Sequence, residues 1–250
     1  MCLILFGYRC DPDVPLLVAA NRDEFHQREA SVANYWEDDP SVIAGRDLVA
    51  GGTWLGCTTG GRFAALTNFS SLEDPPPPRS RGILVQEFLS GSQSAKHYAH
   101  SIKGPDFAGF NLLLFDGEDL VYTSNKSATE VLQPGYYGLS NAELGARWPK
   151  CEQGAAALQE AADAQVDDGA LIDLLRSAAI PDDNLLPRRG RPLEFERRVA
   201  PCFILGDEYG TRASTVVRIK HADVSLTEQT YFAAGETGGR VNYQSPMTDH

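Results

Sequence analysis

A cysteine at position 2 and the block Asn21-Arg22-Asp23-Glu24 supply between them a thiol, an amide, a guanidinium and two carboxylates. Methionine ahead of a small residue such as cysteine is commonly trimmed. Trimming would leave Cys2 with a thiol and a free α-amino group. Reference pKa values of about 8.5 for the thiol and about 7.7–8.0 for the amine let one group deprotonate the other near neutral pH. A residue that is both nucleophile and base is suited to covalent catalysis. Attack of Cys2 on an amide carbonyl would form an acyl thioester that water then cleaves. In this reading Asp23 holds the α-ammonium and the charge of Arg22 lowers the thiol pKa. Asn68 and Asn141, each ending an apolar strand, donate amide hydrogens to the developing oxyanion, where one donor is worth about 3–4 kcal/mol. Arg212 is either a second basic residue for the site or a surface arginine at a strand end. The competing use of Cys2 is as a small, buried strand residue.

The elements that must position these groups are mostly hairpins. Two apolar runs, residues 1–6 and 16–20, flank Cys10-Asp11-Pro12-Asp13-Val14-Pro15 and read as an antiparallel pair. A turn near Asp13 pairs position i with roughly 26 − i, which sets Cys2 beside the polar block. A second hairpin joins residues 51–58 to 62–67 through Thr58-Thr59-Gly60-Gly61 and ends at Asn68. Its Gly51-Gly52 pair serves a turn or a close backbone approach. A third joins 109–115 to 119–124 across Asp116-Gly117-Glu118. A further strand pair around 133–137 runs into Gly138-Leu139-Ser140-Asn141.

Residues 82–90 and 92–102 read as helices, the second capped by Ser92 or Ser94. Residues 151–165 form an alanine-rich helix, and 171–175 begin another. Residues 25–33 read as a loop or short helix, 35–40 as a surface turn and 42–46 as a short strand. Residues 73–79, rich in proline, read as an exposed, extended segment. Residues 181–198 read as a polar loop whose Arg188, Arg189 and Arg191 can attract an anionic substrate group. Strands at 201–205, 211–220 and 222–233 precede a polar tail. Helix pairs set between antiparallel hairpins indicate an α+β fold rather than βαβ winding. His97 and His100 share a helix face but lack companion ligands for a metal. No dinucleotide or phosphate-loop glycine pattern occurs.

The 250 residues carry a formal charge of −12, with 42% hydrophobic and 22% charged residues. That charge disfavours nucleic acid and anionic membrane surfaces as partners. Five scattered cysteines and no signal-like or membrane-spanning run lead to the expectation of reduced thiols in a cytoplasmic protein. One domain over residues 1–250 is expected, with a small-molecule ligand or substrate and no cofactor or metal.

Cys2 and Asn21-Arg22-Asp23-Glu24 resemble the NRDE family, also called the transport-and-Golgi-organisation family. The resemblance continues through Gly51-Gly52-Thr53-Trp54-Leu55-Gly56, Ala65-Leu66-Thr67-Asn68-Phe69, Ser80-Arg81-Gly82 and Phe110-Asn111-Leu112-Leu113. It extends to Leu139-Ser140-Asn141, Trp148-Pro149-Lys150 and Tyr209-Gly210-Thr211-Arg212. It implies the fold of N-terminal nucleophile hydrolases: a four-layer αββα sandwich, two antiparallel sheets between helices. The related bile-salt and penicillin acylases carry Arg-Asn-x-Asp after their first hairpin. Here the order is Ala20-Asn21-Arg22-Asp23: with the asparagines aligned Asp23 matches, and the arginine falls two places late. The resemblance implies amide hydrolysis or, on the same scaffold, a non-catalytic haem or acyl-lipid carrier. A structural member that keeps Met1 is the third class.

Overall fold

The computed structural model of the protein describes residues 2–69 and 78–248. In chain order its strands are β1 (Cys2–Tyr8), β2 (Leu16–Phe25), β3 (Ala30–Tyr35), β4 (Val42–Asp47), β5 (Leu55–Thr58), β6 (Phe63–Asn68), β7 (Phe110–Phe115), β8 (Leu120–Ser124), β9 (Glu130–Val131), β10 (Gly135–Leu139), β11 (Tyr209–Ile219), β12 (Asp223–Tyr231) and β13 (Thr237–Pro246). The helices are α1 (Gly82–Leu89), α2 (Ala95–Ser101), α3 (Pro149–Asp163), α4 (Asp168–Leu174) and α5 (Leu193–Val199). One sheet has the order β10-β1-β2-β11-β12-β13 and the other β3-β4-β5-β6-β7-β8-β9. The strand pairings are antiparallel.

Strand alternation sorts the side chains into layers. On β1 and β2, Leu3, Leu5, Leu17 and Ala19 pack with Cys151, Leu158, Leu171 and Ile172 of α3 and α4. The alternate residues Ile4, Phe6, Val18 and Ala20 face the second sheet and meet Phe63, Ala65, Leu113 and Phe115. The outer face of that second sheet, with Ala64, Leu66, Leu112 and Leu114, carries Leu84, Val85, Phe88 and Tyr98 of α1 and α2. The result is the αββα sandwich. One buried carboxylate also ties the sheets. Glu228 of β12 accepts from the Ala33 N–H at 2.7 Å, where a register shift in β3 breaks its ladder.

Several sequence expectations need correction. Residues 30–35 form a strand rather than part of a loop, because β2 runs on to Phe25 and returns through a tight turn. Trp36 is buried, not a surface residue, and its indole N–H donates to Ala44 O at 3.1 Å. The strands near 130–139 do not pair with each other. β9 pairs with β8 in one sheet and β10 with β1 in the other, so the chain changes sheets between them. Residues 201–205 form no strand, the polar tail is strand β13, and α5 begins inside residues 181–198, at Leu193. The helix cap is Ser94, whose Oγ accepts from the His97 N–H at 3.3 Å. Of the proline-rich stretch at 73–79, only Pro78 and Arg79 are exposed members of the described structure; the rest lies outside the described residues.

Gly51 and Gly52 have φ of 70° and 71°, a region costly to residues with a Cβ. They differ in surroundings. A Cβ on Gly51 would meet open space, while one on Gly52 would lie 2.5 Å from the Gly82 carbonyl at the start of α1. Gly51→Ala should therefore cost about 1–2 kcal/mol, the backbone penalty alone. Gly52→Ala should cost at least about 3 kcal/mol, because steric overlap adds to it. Urea unfolding of both variants checks the difference.

Candidate active site

Register sets the site. Cys2 pairs with Arg22 across β1 and β2, so the pair position follows 24 − i, two residues from the sequence estimate. Both side chains take the alternation that faces the second sheet. The main chain of Cys2 is gripped from the end of β10. Its N–H donates to Asn141 Oδ1 at 3.1 Å, and the Ser140 hydroxyl donates to its carbonyl at 2.7 Å. Asn141 Nδ2 donates to Asn68 O at 2.7 Å, which ties this clamp to the end of β6.

Asp23 lies on the opposite alternation and is buried. Thr211 Oγ1 donates to its Oδ1 at 2.7 Å, and Tyr209 Oη donates to its backbone carbonyl at 3.1 Å. Burial pushes the Asp23 carboxyl up to about 6, against nearby positive charge that includes Lys150 and Arg22. Lys150 is itself buried at the start of α3, and its ammonium donates to Val199 O at 3.0 Å. Burial is also the main influence on the Cys2 thiol. It raises the pKa, the Asp23 carboxylate adds to the rise, and the Asp23 backbone N–H and Arg22 oppose it. The expected lowering by Arg22 is therefore present but outweighed.

Two cavities lie beside these residues. The smaller, of about 170 Å³, is lined by Cys2, Arg22, Asp23, Trp54, Asn68 and Arg81 among others. The larger, of about 600 Å³, is lined by Phe25, Asn68, Asn141, Arg191, Phe195, Arg198 and Tyr209, with Asp207 and Glu208. Asn68 lines both. Arg191 and Arg198 lie over the Phe195 ring, 5.1 and 5.5 Å from its centroid.

Of the residues singled out in the sequence, Cys2, Arg22, Asp23, Asn68 and Asn141 come together. Arg212 does not line either cavity. It sits at a bulge in β11, and its guanidinium donates to the backbone carbonyls of Phe25 and Arg28, holding the turn after β2. Asn141 departs from its expected donor role: its oxygen faces the Cys2 nitrogen and its amide group bonds Asn68 O. Asn21 points beneath the sheet, donating to Leu175 O at 3.0 Å and Cys202 O at 2.8 Å. Of the three loop arginines, only Arg191 reaches the cavity; Arg189 is paired with Glu196. Ser140, Lys150 and Thr211 had no assigned role in the sequence, although each falls inside a motif already noted. Among the described residues no group of three or more His, Cys, Asp or Glu is arranged to hold a metal, and the described cysteines are free thiols. No described helix is long and apolar enough to cross a membrane.

A first strand that begins at Cys2, within an αββα sandwich of two antiparallel sheets, gives the chain a fold like that of the N-terminal nucleophile hydrolases. The fold is similar to that of a conjugated bile acid hydrolase from Clostridium perfringens, with a TM-score of 0.50 over 97% of this chain and 92% of that one, at 10% identity. It is also similar to an N-acylethanolamine-hydrolyzing acid amidase ortholog from Caenorhabditis elegans, with a TM-score of 0.50 over 86% and 92% of the chains, at 11% identity. These likenesses concern the fold alone. The family model described as Transport and Golgi organisation 2 matches residues 1–233, and the chain belongs to that family. The Transport and Golgi organization protein 2 homolog of Bos taurus is 33% identical over 263 residues, covering 95% of each chain. The homolog of Homo sapiens is 32% identical over 257 residues, covering 92% of this chain and 93% of its own.

Because the folded Asp23 carboxyl lies above its usual value of 3.8, its ionisation opposes folding. Its contribution is favourable below pH 4 and is lost as the pH rises through about 6. Asp23→Asn keeps an acceptor for Thr211 and removes this loss. Between pH 4 and pH 7 the variant should gain on the order of 3 kcal/mol over the wild type, read as the change in their difference in urea unfolding.

Proposed function

We propose that the protein is a cysteine-nucleophile amidohydrolase acting on a carbon–nitrogen amide bond of a small molecule. The observation that carries this reading is the grip on Cys2. Its nitrogen is held by Asn141 Oδ1 while its side chain borders a cavity that shares Asn68 with a larger one. After loss of Met1 that nitrogen becomes the α-amine. It takes the thiol proton as sulfur attacks the carbonyl and a carbon–sulfur bond forms. Asn68 donates to the oxyanion. The α-ammonium then protonates the leaving amine as the carbon–nitrogen bond breaks. Water, deprotonated by the α-amine, cleaves the thioester and restores the thiol with release of a carboxylic acid.

Asp23 in its ionised form stabilises the α-ammonium, so turnover should rise with pH through about 6. The aromatic walls of the larger cavity suit an apolar part of the substrate, and Arg191 and Arg198 suit an anionic one. We assign the protein to the cytoplasm, with no cofactor. The rise in the Cys2 thiol pKa favours a second reading, a carrier for haem or an acyl lipid in which the thiol stays protonated.

Intact mass should show Met1 absent, and a thiol-directed acylating probe should label Cys2. Against a panel of amides, Cys2→Ala should abolish turnover, and Asn68→Ala should lower kcat about 10²–10³-fold with little change in KM. Retained Met1, or wild type and Cys2→Ala equally inert while both bind ligand, would give the carrier reading the advantage.

A further inference from the structure

We propose that Asn111, oriented by Tyr122, is a positioning residue for Cys2 that acts through the Ser140–Asn141 segment. The proposal rests on the reading of Cys2 as nucleophile. Asn111 lies on β7, on the face turned toward the first sheet. The residues that follow it on that face, Leu113 and Phe115, are apolar core. Asn111 is fully buried, and a buried amide is costly unless its hydrogen bonds are made.

Its bonds run to the segment that grips Cys2. Asn111 Nδ2 lies 2.9 Å from Ala142 O, 3.3 Å from Ser140 O and 3.0 Å from Thr67 Oγ1. The carbonyls before and after Asn141 are thus held by one amide group. Thr67 Oγ1 also donates to Ser140 O. Tyr122 Oη donates to Asn111 Oδ1 at 2.8 Å. A phenol has one hydrogen, so Ser127 Oγ at 2.9 Å and the Leu144 N–H at 3.3 Å act as donors to it. With its oxygen committed to Tyr122, the Asn111 amide can present only N–H groups to Ser140 and Ala142. The chain of contacts runs from β8 through β7 to residues 140–142, and from there to both main-chain groups of Cys2. Small errors in the placement of a reacting group cost rate steeply, so this chain should be felt at the sulfur.

A matched pair of variants tests it. Tyr122→Phe removes the hydroxyl that orients Asn111. Thr123→Val removes the 2.6 Å Thr123–Thr129 hydroxyl contact, one residue along on the opposite face of β8. The readout is alkylation of Cys2 by iodoacetamide in the folded protein, followed by peptide mass mapping from pH 6 to 9, with Tm measured in parallel. Tyr122→Phe should slow Cys2 alkylation at least about fivefold at pH 7.5 and shift its pH profile, while Thr123→Val, with a similar drop in Tm, stays within about twofold of wild type. Wild-type labelling with both variants equally affected, or neither, overturns the proposal alone. A wild-type Cys2 that does not label overturns the nucleophile reading and the proposal with it.

Discussion

The pairing of Cys2 with Arg22 across β1 and β2 decides which groups look into the space between the sheets. Side chains alternate along a strand, so a slip of β1 by one residue against β2 would turn every side chain of β1 to the other face. Cys2 would turn under the helices, and Leu3 would enter the gap. The apolar rows prevent that slip. Leu3, Leu5, Leu17 and Ala19 fit beneath α3 and α4, while Ile4, Phe6, Val18 and Ala20 fit against the second sheet. The same packing that stabilises the sandwich thus fixes the direction of the sulfur. Asn21 strengthens the register from below, because its bonds to Leu175 and Cys202 exist only on the helix side.

Burial then works against charge at this end of the sandwich. It raises both the Cys2 thiol and the Asp23 carboxyl. Partial compensation comes from Lys150 and Arg22, and from a hydroxyl, Thr211, donating to the carboxylate. Such an arrangement keeps the Asp23 carboxyl, at about 6, close to a change of protonation rather than locked in one state. An exposed Asp23 would be ionised at any pH near neutrality. A buried one without these neighbours would stay protonated to higher pH. The helix layer therefore does more than cover the sheet: through α3 it brings a buried ammonium toward the carboxylate.

Much of this was legible in the chain because hairpins announce themselves locally. Asp116-Gly117 and Gly60-Gly61 mark turns, and the apolar runs beside them mark strands. What escaped was set by distant partners. Residues 130–139 look like a hairpin, but β9 and β10 belong to different sheets, a choice that depends on which edges are free. β13 reads as a polar tail because an edge strand against water has little apolar signal. Arg212 has the residue type for the site, yet a bulge in β11 turns its guanidinium onto the backbone of Phe25 and Arg28. The type of Asn141 was informative and its polarity was not. Whether an amide presents oxygen or nitrogen is decided by its neighbours, here Asn68 O and the Cys2 N–H.

The contrast between a hydrolase and a carrier on this scaffold comes down to where a proton can go. Either would use the larger cavity, and Asn141 Oδ1 can accept from an amide N–H or from an ammonium. A thiol raised by burial cannot attack an amide without a base. Among the described residues no histidine lines either cavity, and the carboxylate of Asp23 lies on the other alternation of β2. The nitrogen of Cys2 itself remains the candidate beside the sulfur, and it is basic only when Met1 is gone. With Met1 attached that nitrogen is an amide, and the clamp holds the main chain of a cysteine whose own nitrogen is not a base. The same hydrogen bonds therefore support two different proteins, and the presence or loss of Met1 separates them.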